Sequence, residues 1–131
     1  MKKIIILLAL SIAAIGLHAQ KNSVQVLYFK AALPCCKAAA CNNLEGEVKS
    51  IIENNFAKKG VTFKQVTLAD DANKALIEKY NAKSQTVILV TTKKKKETSV
   101  DVSDIVRKYV RSNDKAAFEK ELTDKINESL K

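Results

Sequence analysis

Apolar and polar residues along the chain form several segments whose patterns predict β-strands. β-branched and aromatic residues dominate residues 24–29, and apolar residues alternate with polar ones over residues 61–68. Both patterns are typical of strands with at least one buried face. The apolar run at residues 86–90 is unbroken, which predicts a central strand, and residues 99–102 are predicted to form an edge strand.

Helical spacing of apolar residues separates these predicted strands. From about residue 38 to residue 55, apolar side chains recur three and four positions apart, which predicts a helix with one face toward a core. Asp70 and Asp71 are expected to begin a second helix that reaches Tyr80, because carboxylates accept hydrogen bonds from a first turn. Residues 105–110 and 118–130 predict two further helical stretches.

The order of these elements is β-α-β-α-β-β-α. We interpret it as two parallel crossovers followed by a hairpin and a covering helix. Such an order predicts an α/β fold of the thioredoxin-like type, with a central mixed sheet flanked by helices. The chain of 131 residues is short enough for one such domain, which we expect to span residues 20–131.

The N-terminal residues have the pattern of an export signal. Lys2 and Lys3 precede an apolar run at residues 4–17, and Ala19 offers a small residue at which a signal peptidase can cut. The run is shorter than the roughly 20 residues that span a bilayer. We therefore predict a signal peptide at residues 1–19, a secreted protein in the periplasm or outside the cell, and no membrane span after cleavage.

The chain is basic, with a formal net charge of +9, and most of the excess is lysine. Residues 93–96 are four successive lysines. Nucleic-acid binding is not expected, because the lysines are not interleaved with aromatic residues and no nucleic-acid motif is present. The simplest interpretation of the lysine run is a solvated hairpin tip. An acidic partner or an anionic membrane surface is the alternative.

Candidate chemistry is concentrated in three cysteines, Cys35, Cys36 and Cys41. An odd number leaves one thiol unpaired, and a bridge across so short a loop restricts the unfolded chain little. Stabilisation is therefore a poor explanation for the cluster. We expect the cysteines to lie where the first strand leads into the first helix, a position that favours the thiolate form. Lys30 and Lys37 are close in sequence and should add positive charge.

The cysteine spacing differs from that of a C-x-x-C redox pair. Cys35 and Cys36 are adjacent, in a predicted turn after Pro34, and Cys41 follows on the apolar stripe of the helix. A disulfide needs Cα atoms roughly 4.4–6.8 Å apart, whereas residues five apart on a regular helix are separated by about 8 Å or more. A Cys36–Cys41 bridge therefore requires a loosened first turn, and a bridge between Cys35 and Cys36 would be strained. Inert packing of Cys41 in the core is the alternative.

Several segments resemble a family of small exported thioredoxin-like proteins named as nitrophenyl compound nitroreductase subunits. The landmarks are residues 26–29, the cysteine turn, residues 73–80, residues 84–86 before an apolar strand, and residues 109–111. The family name implies a link to the reduction of nitroaromatic compounds. Its usual C-x-x-C is matched only at Cys41. Ser84-Gln85-Thr86 stands where thioredoxin-like proteins usually have a cis-proline, so we expect trans peptide bonds there.

Three functions are compatible with these residues. In thiol–disulfide exchange, Cys35 or Cys36 attacks as the thiolate and Cys41 resolves the mixed disulfide; the partners are protein thiols or disulfides, and no cofactor is needed. In metal binding, all three thiolates hold a soft ion such as Cu(I), Hg(II) or As(III). A non-enzymatic interaction module is the third. Acid–base catalysis has little support, since the single histidine, His18, lies in the predicted signal.

Overall fold

A computed structural model describes residues 22–32 and 35–131, and their strands form one mixed, four-stranded sheet. The strand order is β2-β1-β3-β4. β1 pairs with β2 in parallel and with β3 in antiparallel orientation, and β3 pairs antiparallel with β4. The strands are β1 (Ser23–Lys30), β2 (Val61–Thr67), β3 (Val87–Lys93) and β4 (Lys96–Asp101).

Helices flank this sheet, and aspartate side chains cap the 3₁₀ turn before the second helix and the start of the last helix. Asp70 accepts a hydrogen bond from Ala72 N at 3.0 Å and so begins the turn that leads into the second helix. Asp114 accepts one from Ala117 N at 3.0 Å. None of the helices in the described ranges is both long and apolar enough to cross a membrane. The helices are α1 (Cys35–Phe56), α2 (Lys74–Tyr80), which follows a short 3₁₀ turn at Asp71–Asn73, α3 (Ser103–Ser112) and α4 (Lys115–Leu130).

Both faces of the sheet are covered, so β1 and β3 carry buried side chains on each side. α1, α3 and α4 pack on one face, and α2 packs on the other. This confirms the α/β class and the central mixed sheet flanked by helices, which is the thioredoxin-like layout. The first face buries Val26 and Tyr28 of β1 against Val48 and Phe56 of α1 and Leu122 and Ile126 of α4, and the second buries Phe29 and Ile88 against Leu76, Ile77 and Tyr80 of α2.

The predicted second parallel crossover is wrong, because β3 runs antiparallel to β1. β1 and β2 end at the same edge of the sheet, and β3 begins at that edge, where Val87 pairs with Tyr28. α2 has seven residues and is about 10 Å long, whereas a strand of seven residues extends about 23 Å. The short helix therefore returns the chain to the edge that it left. We call this the upper edge and the opposite one the lower edge.

The first helix begins three residues earlier than predicted. α1 spans Cys35–Phe56, so the backbone of Cys35 and Cys36 belongs to its first turn and not to a preceding loop. Local sequence did not indicate this start, because no acidic residue lies in the first turn. β4 is an edge strand, as predicted, and all of its residues are exposed. The predicted signal peptide at residues 1–19 lies outside the described residues, and its boundary with the domain at residue 20 stays a prediction.

Candidate functional site

The backbone of the three cysteines lies at the upper edge of the sheet, in the first two turns of α1. β1 ends at Lys30, and α1 begins at Cys35. The first four N–H groups of a helix have no partner within it, and this end carries the positive pole of the helix dipole. Both features stabilise a thiolate over a thiol. The cysteine side chains, and that of Lys37, lie outside the part of the chain that the structure describes.

The helical backbone of α1 sets the Cα separations within the cluster. Cys36 and Cys41 are five residues apart, which on a regular helix corresponds to about 9 Å between their Cα atoms. For Cys35 and Cys41 the separation is about 10 Å, and adjacent Cα atoms are about 3.8 Å apart. Disulfides need roughly 4.4–6.8 Å. A relaxed disulfide between any two of the three cysteines therefore requires a change in the backbone of α1.

An ion pair joins the end of β1 to α1 beside the cluster. Lys30 Nζ donates to Glu45 Oε2 at 2.7 Å, and their side chains are 23% and 17% exposed. The sequence suggested that the charge of Lys30 would favour thiolates at the helix start. Glu45 compensates that charge, which leaves the helix N-terminus and the charge of Lys37 to favour the thiolates. Glu45 was not predicted from the sequence. The one feature that could have indicated a partly buried position is that it follows the apolar residue Leu44 in the helix.

The segment before β3 is hydrogen-bonded to the end of β1 at the upper edge of the sheet. Phe29 N donates to Thr86 O at 2.9 Å, and Gln85 N donates to Phe29 O at 2.8 Å. The Thr86 hydroxyl oxygen accepts a hydrogen bond from Lys83 N at 3.0 Å. All peptide bonds of the described residues are trans, as expected for Ser84-Gln85-Thr86, and Gln85 has a φ of 65°. Because the N–H groups of Gln85 and Thr86 are already donated within the fold, they cannot pair with a substrate strand.

A groove runs between α1 and the α3–α4 connection, and its described lining on α1 includes Asn42, the residue after Cys41. Its volume is about 680 Å³. The ion pair between Lys115 Nζ and Glu47 Oε2, 2.8 Å long, lies along it, and hydrogen bonding to Glu47 raises the pKa of Lys115. Val110 is 56% exposed in the groove. The groove is lined by both polar and apolar residues, among them Asn42, Asn43, Leu44, Gly46 and Tyr109.

Within the described part of the chain, no group of three histidine, cysteine or acidic side chains lies close enough to hold a metal ion. The alternative of a soft metal held by Cys35, Cys36 and Cys41 falls outside that description. The backbone of α1 is relevant to it, since a regular helix spreads the three Cα atoms over about 9 Å along its axis. One ion bound by all three sulfurs would need the first turn of α1 to unwind.

Comparison with known proteins adds little to these observations. No protein-family model matches the chain, and no curated protein matches it. A solved structure described as that of a malarial protein is 27% identical and covers 76% of this chain and 96% of its own. Its TM-score is 0.41, which is too low to show a shared fold or function. The architecture defines this chain as an α/β protein of thioredoxin-like layout, and the resemblance to the nitroreductase subunit family stays a prediction.

Proposed function

We propose that this protein carries out thiol–disulfide exchange outside the cytoplasm, with Cys35, Cys36 and Cys41 as its reactive groups. The observation that supports the proposal is the start of α1 at Cys35, directly after β1. Cys35 and Cys36 are therefore at the N-terminus of a helix, where unpaired N–H groups and the helix dipole favour thiolates. An oxidising compartment, as expected for an exported protein, supplies disulfide substrates.

The reaction proceeds in two exchange steps. The thiolate of Cys36, or of Cys35, attacks one sulfur of a substrate disulfide, forms a mixed disulfide, and releases the other substrate sulfur as a thiolate. The thiolate of Cys41 then attacks the mixed disulfide. The substrate leaves fully reduced, and the protein retains a disulfide that contains Cys41 and two fewer electrons. An external dithiol has to reduce this disulfide before the next cycle.

The second step requires motion in α1, because the Cα atoms of Cys36 and Cys41 are about 9 Å apart on a regular helix. Unwinding the first turn brings the two sulfurs within bonding distance. Opening this turn breaks the hydrogen bonds that its carbonyl groups accept from the next turn, and no acidic side chain in the turn stabilises its closed form through the dipole. The oxidised protein is therefore expected to have a shorter α1 than the reduced one.

The groove after Cys41 is the surface on which we place the substrate. Its exposed Val110 and neighbouring Tyr109 offer apolar contact, and Asn42 and Asn43 offer hydrogen-bonding groups. A polypeptide segment carrying a disulfide fits this mixture better than a small apolar molecule does. This side of the site replaces docking at residues 84–86, where the N–H groups of Gln85 and Thr86 are already used.

The test measures turnover and covalent intermediates together. Turnover of glutathione disulfide, used as the probe, is measured with dithiothreitol as the final reductant and corrected for the direct reaction of dithiothreitol with the probe. Adducts are identified by mass spectrometry after alkylation in a separate reaction, in which reduced protein freed of dithiothreitol is mixed with glutathione disulfide. We expect the wild-type protein to turn over. In the reaction without dithiothreitol, Cys41→Ser should instead accumulate a stable mixed disulfide with glutathione on Cys35 or Cys36. Ala40→Ser, a hydroxyl introduced at the neighbouring position of α1, is the matched control and should behave as wild type.

Two results would contradict the proposal. Full dithiol-dependent turnover by Cys41→Ser would remove its resolving role, and equal activity in a variant lacking all three cysteines would remove the site. A Cu(I) competition with a chromogenic chelator is the second arm. Tight Cu(I) binding by reduced protein that shows no exchange with glutathione would favour the soft-metal alternative. Unchanged partner binding in the cysteine-free variant would favour an interaction module.

A further inference from the structure

The lysine run forms the tip of the β3–β4 hairpin in an unusual backbone conformation. Lys93 pairs with Lys96, so Lys94 and Lys95 form a two-residue turn, and their φ values are 45° and 68°. Two successive positive φ angles define a type I′ turn, which strongly favours Asn-Gly. Lysine is poorly suited to either position. The conformation of the turn therefore does not explain why this segment consists of lysines.

The fold brings further lysines to the same edge of the sheet. Lys58 and Lys59 lie in the turn before β2, which enters the sheet beside the start of β1, where Val61 pairs with Val24. Ser23 of β1 in turn pairs with Thr92, next to the hairpin tip. At the end of α4, Leu130 O accepts a hydrogen bond from Asn22 Nδ2 at 3.2 Å, which brings the adjacent Lys131 to this edge. We define the basic end as Lys58, Lys59, Lys93, Lys94, Lys95, Lys96 and Lys131.

Acidic residues near the basic end pair with lysines outside it. Glu97 bonds Lys79 at 2.5 Å, and this hydrogen bond raises the pKa of Lys79. Glu128 bonds Lys125 at 2.9 Å, and Glu53 lies 3.8 Å from Lys49. Among the ion pairs of the described residues, none includes a lysine of the basic end. Its positive charge is therefore available to a partner.

We infer that the basic end docks the protein onto an anionic phospholipid surface. This is a further interaction, separate from the proposed thiol chemistry and not dependent on it. The lysines come from three parts of the chain and share the lower edge of the sheet, so they can face one charged plane together. Each lysine held near such a surface is expected to increase affinity about fivefold at physiological ionic strength. No membrane-spanning segment is required.

The chemistry of the basic end favours a lipid surface over a nucleic acid or an acidic protein. All of its cations are lysines, which act as hydrated point charges and lack the fixed bidentate geometry of arginine. Phe56, over whose ring Lys59 Nζ lies at 5.2 Å, is fully buried, so it offers no surface on which a base could stack. The hairpin tip is a two-residue projection that reaches a flat surface without needing a complementary groove.

The basic end and the cysteines lie at opposite edges of the sheet. β1 runs from the lower edge at Ser23 to the upper edge at Lys30, and α1 begins at the upper edge with Cys35. The antiparallel β3 then ends at the lower edge with Lys93. Docking through the basic end therefore leaves the upper edge, with its cysteines and groove, facing away from the membrane.

The test is vesicle co-sedimentation of the whole protein, with the same N-terminal form verified by mass spectrometry in every variant. One vesicle population is an equimolar mixture of phosphatidylcholine and phosphatidylglycerol, and the other is phosphatidylcholine alone. We expect binding to the anionic vesicles only, with a loss as salt rises from about 0.1 M to about 1 M and the Debye length falls from about 10 Å to about 3 Å. Lys94→Asn combined with Lys95→Gly should weaken this binding about 30-fold.

This double variant is informative because it replaces the two lysines with the residues that the turn prefers. Thermal unfolding should show that it melts no lower than wild type. The matched control, Lys74→Gln with Lys83→Gln, removes two lysines near the upper edge and should change vesicle affinity by no more than about twofold.

Three outcomes would overturn the inference: equal anionic-vesicle binding by wild type and the hairpin variant, equal wild-type binding to both vesicle populations, or tighter binding to duplex DNA or polyglutamate than to vesicles at the same ionic strength. Because every cysteine is retained in these variants, their glutathione turnover tests the proposed function separately.

Discussion

The Ser103 hydroxyl oxygen accepts a hydrogen bond from the backbone N–H of Val87 at 3.0 Å and so joins the start of α3 to the start of β3. Ser103 is 1% exposed. Its hydroxyl also donates to Asp101 Oδ1, which in addition accepts a bond from Ser103 N at 2.8 Å. The buried Ser103 side chain thus accepts the hydrogen bond of the first N–H of β3 and, through Asp101, stabilises the first turn of α3.

Replacing Ser103 with alanine is therefore expected to destabilise the protein by about 2 kcal/mol, because the buried N–H of Val87 loses its hydrogen-bond acceptor. Urea unfolding followed by circular dichroism measures the change. Ser50→Ala removes an exposed serine from a helix and is the matched control, with an expected change of less than about 0.5 kcal/mol. Equal effects of the two substitutions would show that the Ser103 bond contributes nothing.

The Lys30–Glu45 ion pair gives a second prediction. Glu45→Gln leaves the largely buried Lys30 ammonium without its anionic partner, and we expect a loss of about 1–2 kcal/mol, between the values for surface and fully buried pairs. Glu53→Gln breaks the exposed pair with Lys49 on the same helix and should cost about 0.3 kcal/mol. Chemical unfolding of both variants compares the two losses, and a smaller loss for Glu45→Gln would contradict the interpretation.

Two glycines are predicted to respond in opposite directions to alanine. Gly46 lies inside α1 with nothing within 4 Å of the position that a Cβ would take, so Gly46→Ala should stabilise the protein by about 0.5–1 kcal/mol. Gly60 has a φ of +72°, and a Cβ there would lie 3.3 Å from Asn22 O. Gly60→Ala should destabilise by about 1–2 kcal/mol. Thermal unfolding decides both signs.

The proposed chemistry predicts a change in α1 on oxidation. If Cys36 and Cys41 form a disulfide, the first turn of the helix has to unwind, since a regular helix holds their Cα atoms about 9 Å apart. Amide hydrogen exchange should therefore be faster at residues 38–41 in the oxidised protein than in the reduced one. Residues 44–56, deeper in the same helix, serve as the internal control. Identical exchange in the two redox states would exclude a Cys36–Cys41 disulfide.

The spacing of apolar residues predicted the strands and helices well, because strands and helices each impose their own short repeat on residues that are close in sequence. The apolar run at residues 86–90 predicted that β3 is a central strand, as the sheet order confirms, and the Asp70 carboxylate caps the turn at which the sequence placed a helix start. The start of α1 was less predictable. Without an acidic residue in its first turn, the sequence carried no signal that the helix begins at Cys35. The cysteine cluster itself was visible, but its helical backbone was not.

By itself, the sequence determined the α/β class, the order of strands and helices, the edge position of β4 and the identity of the clustered cysteines. These features follow from periods of two and 3.6 residues, which a linear pattern records. The tertiary structure decided the direction of β3, the Lys30–Glu45 pair and the meeting of Lys58 and Lys59 with the hairpin lysines. Each of these depends on where the chain reverses and which distant segments then become neighbours, and such long-range contacts leave no local period in the sequence.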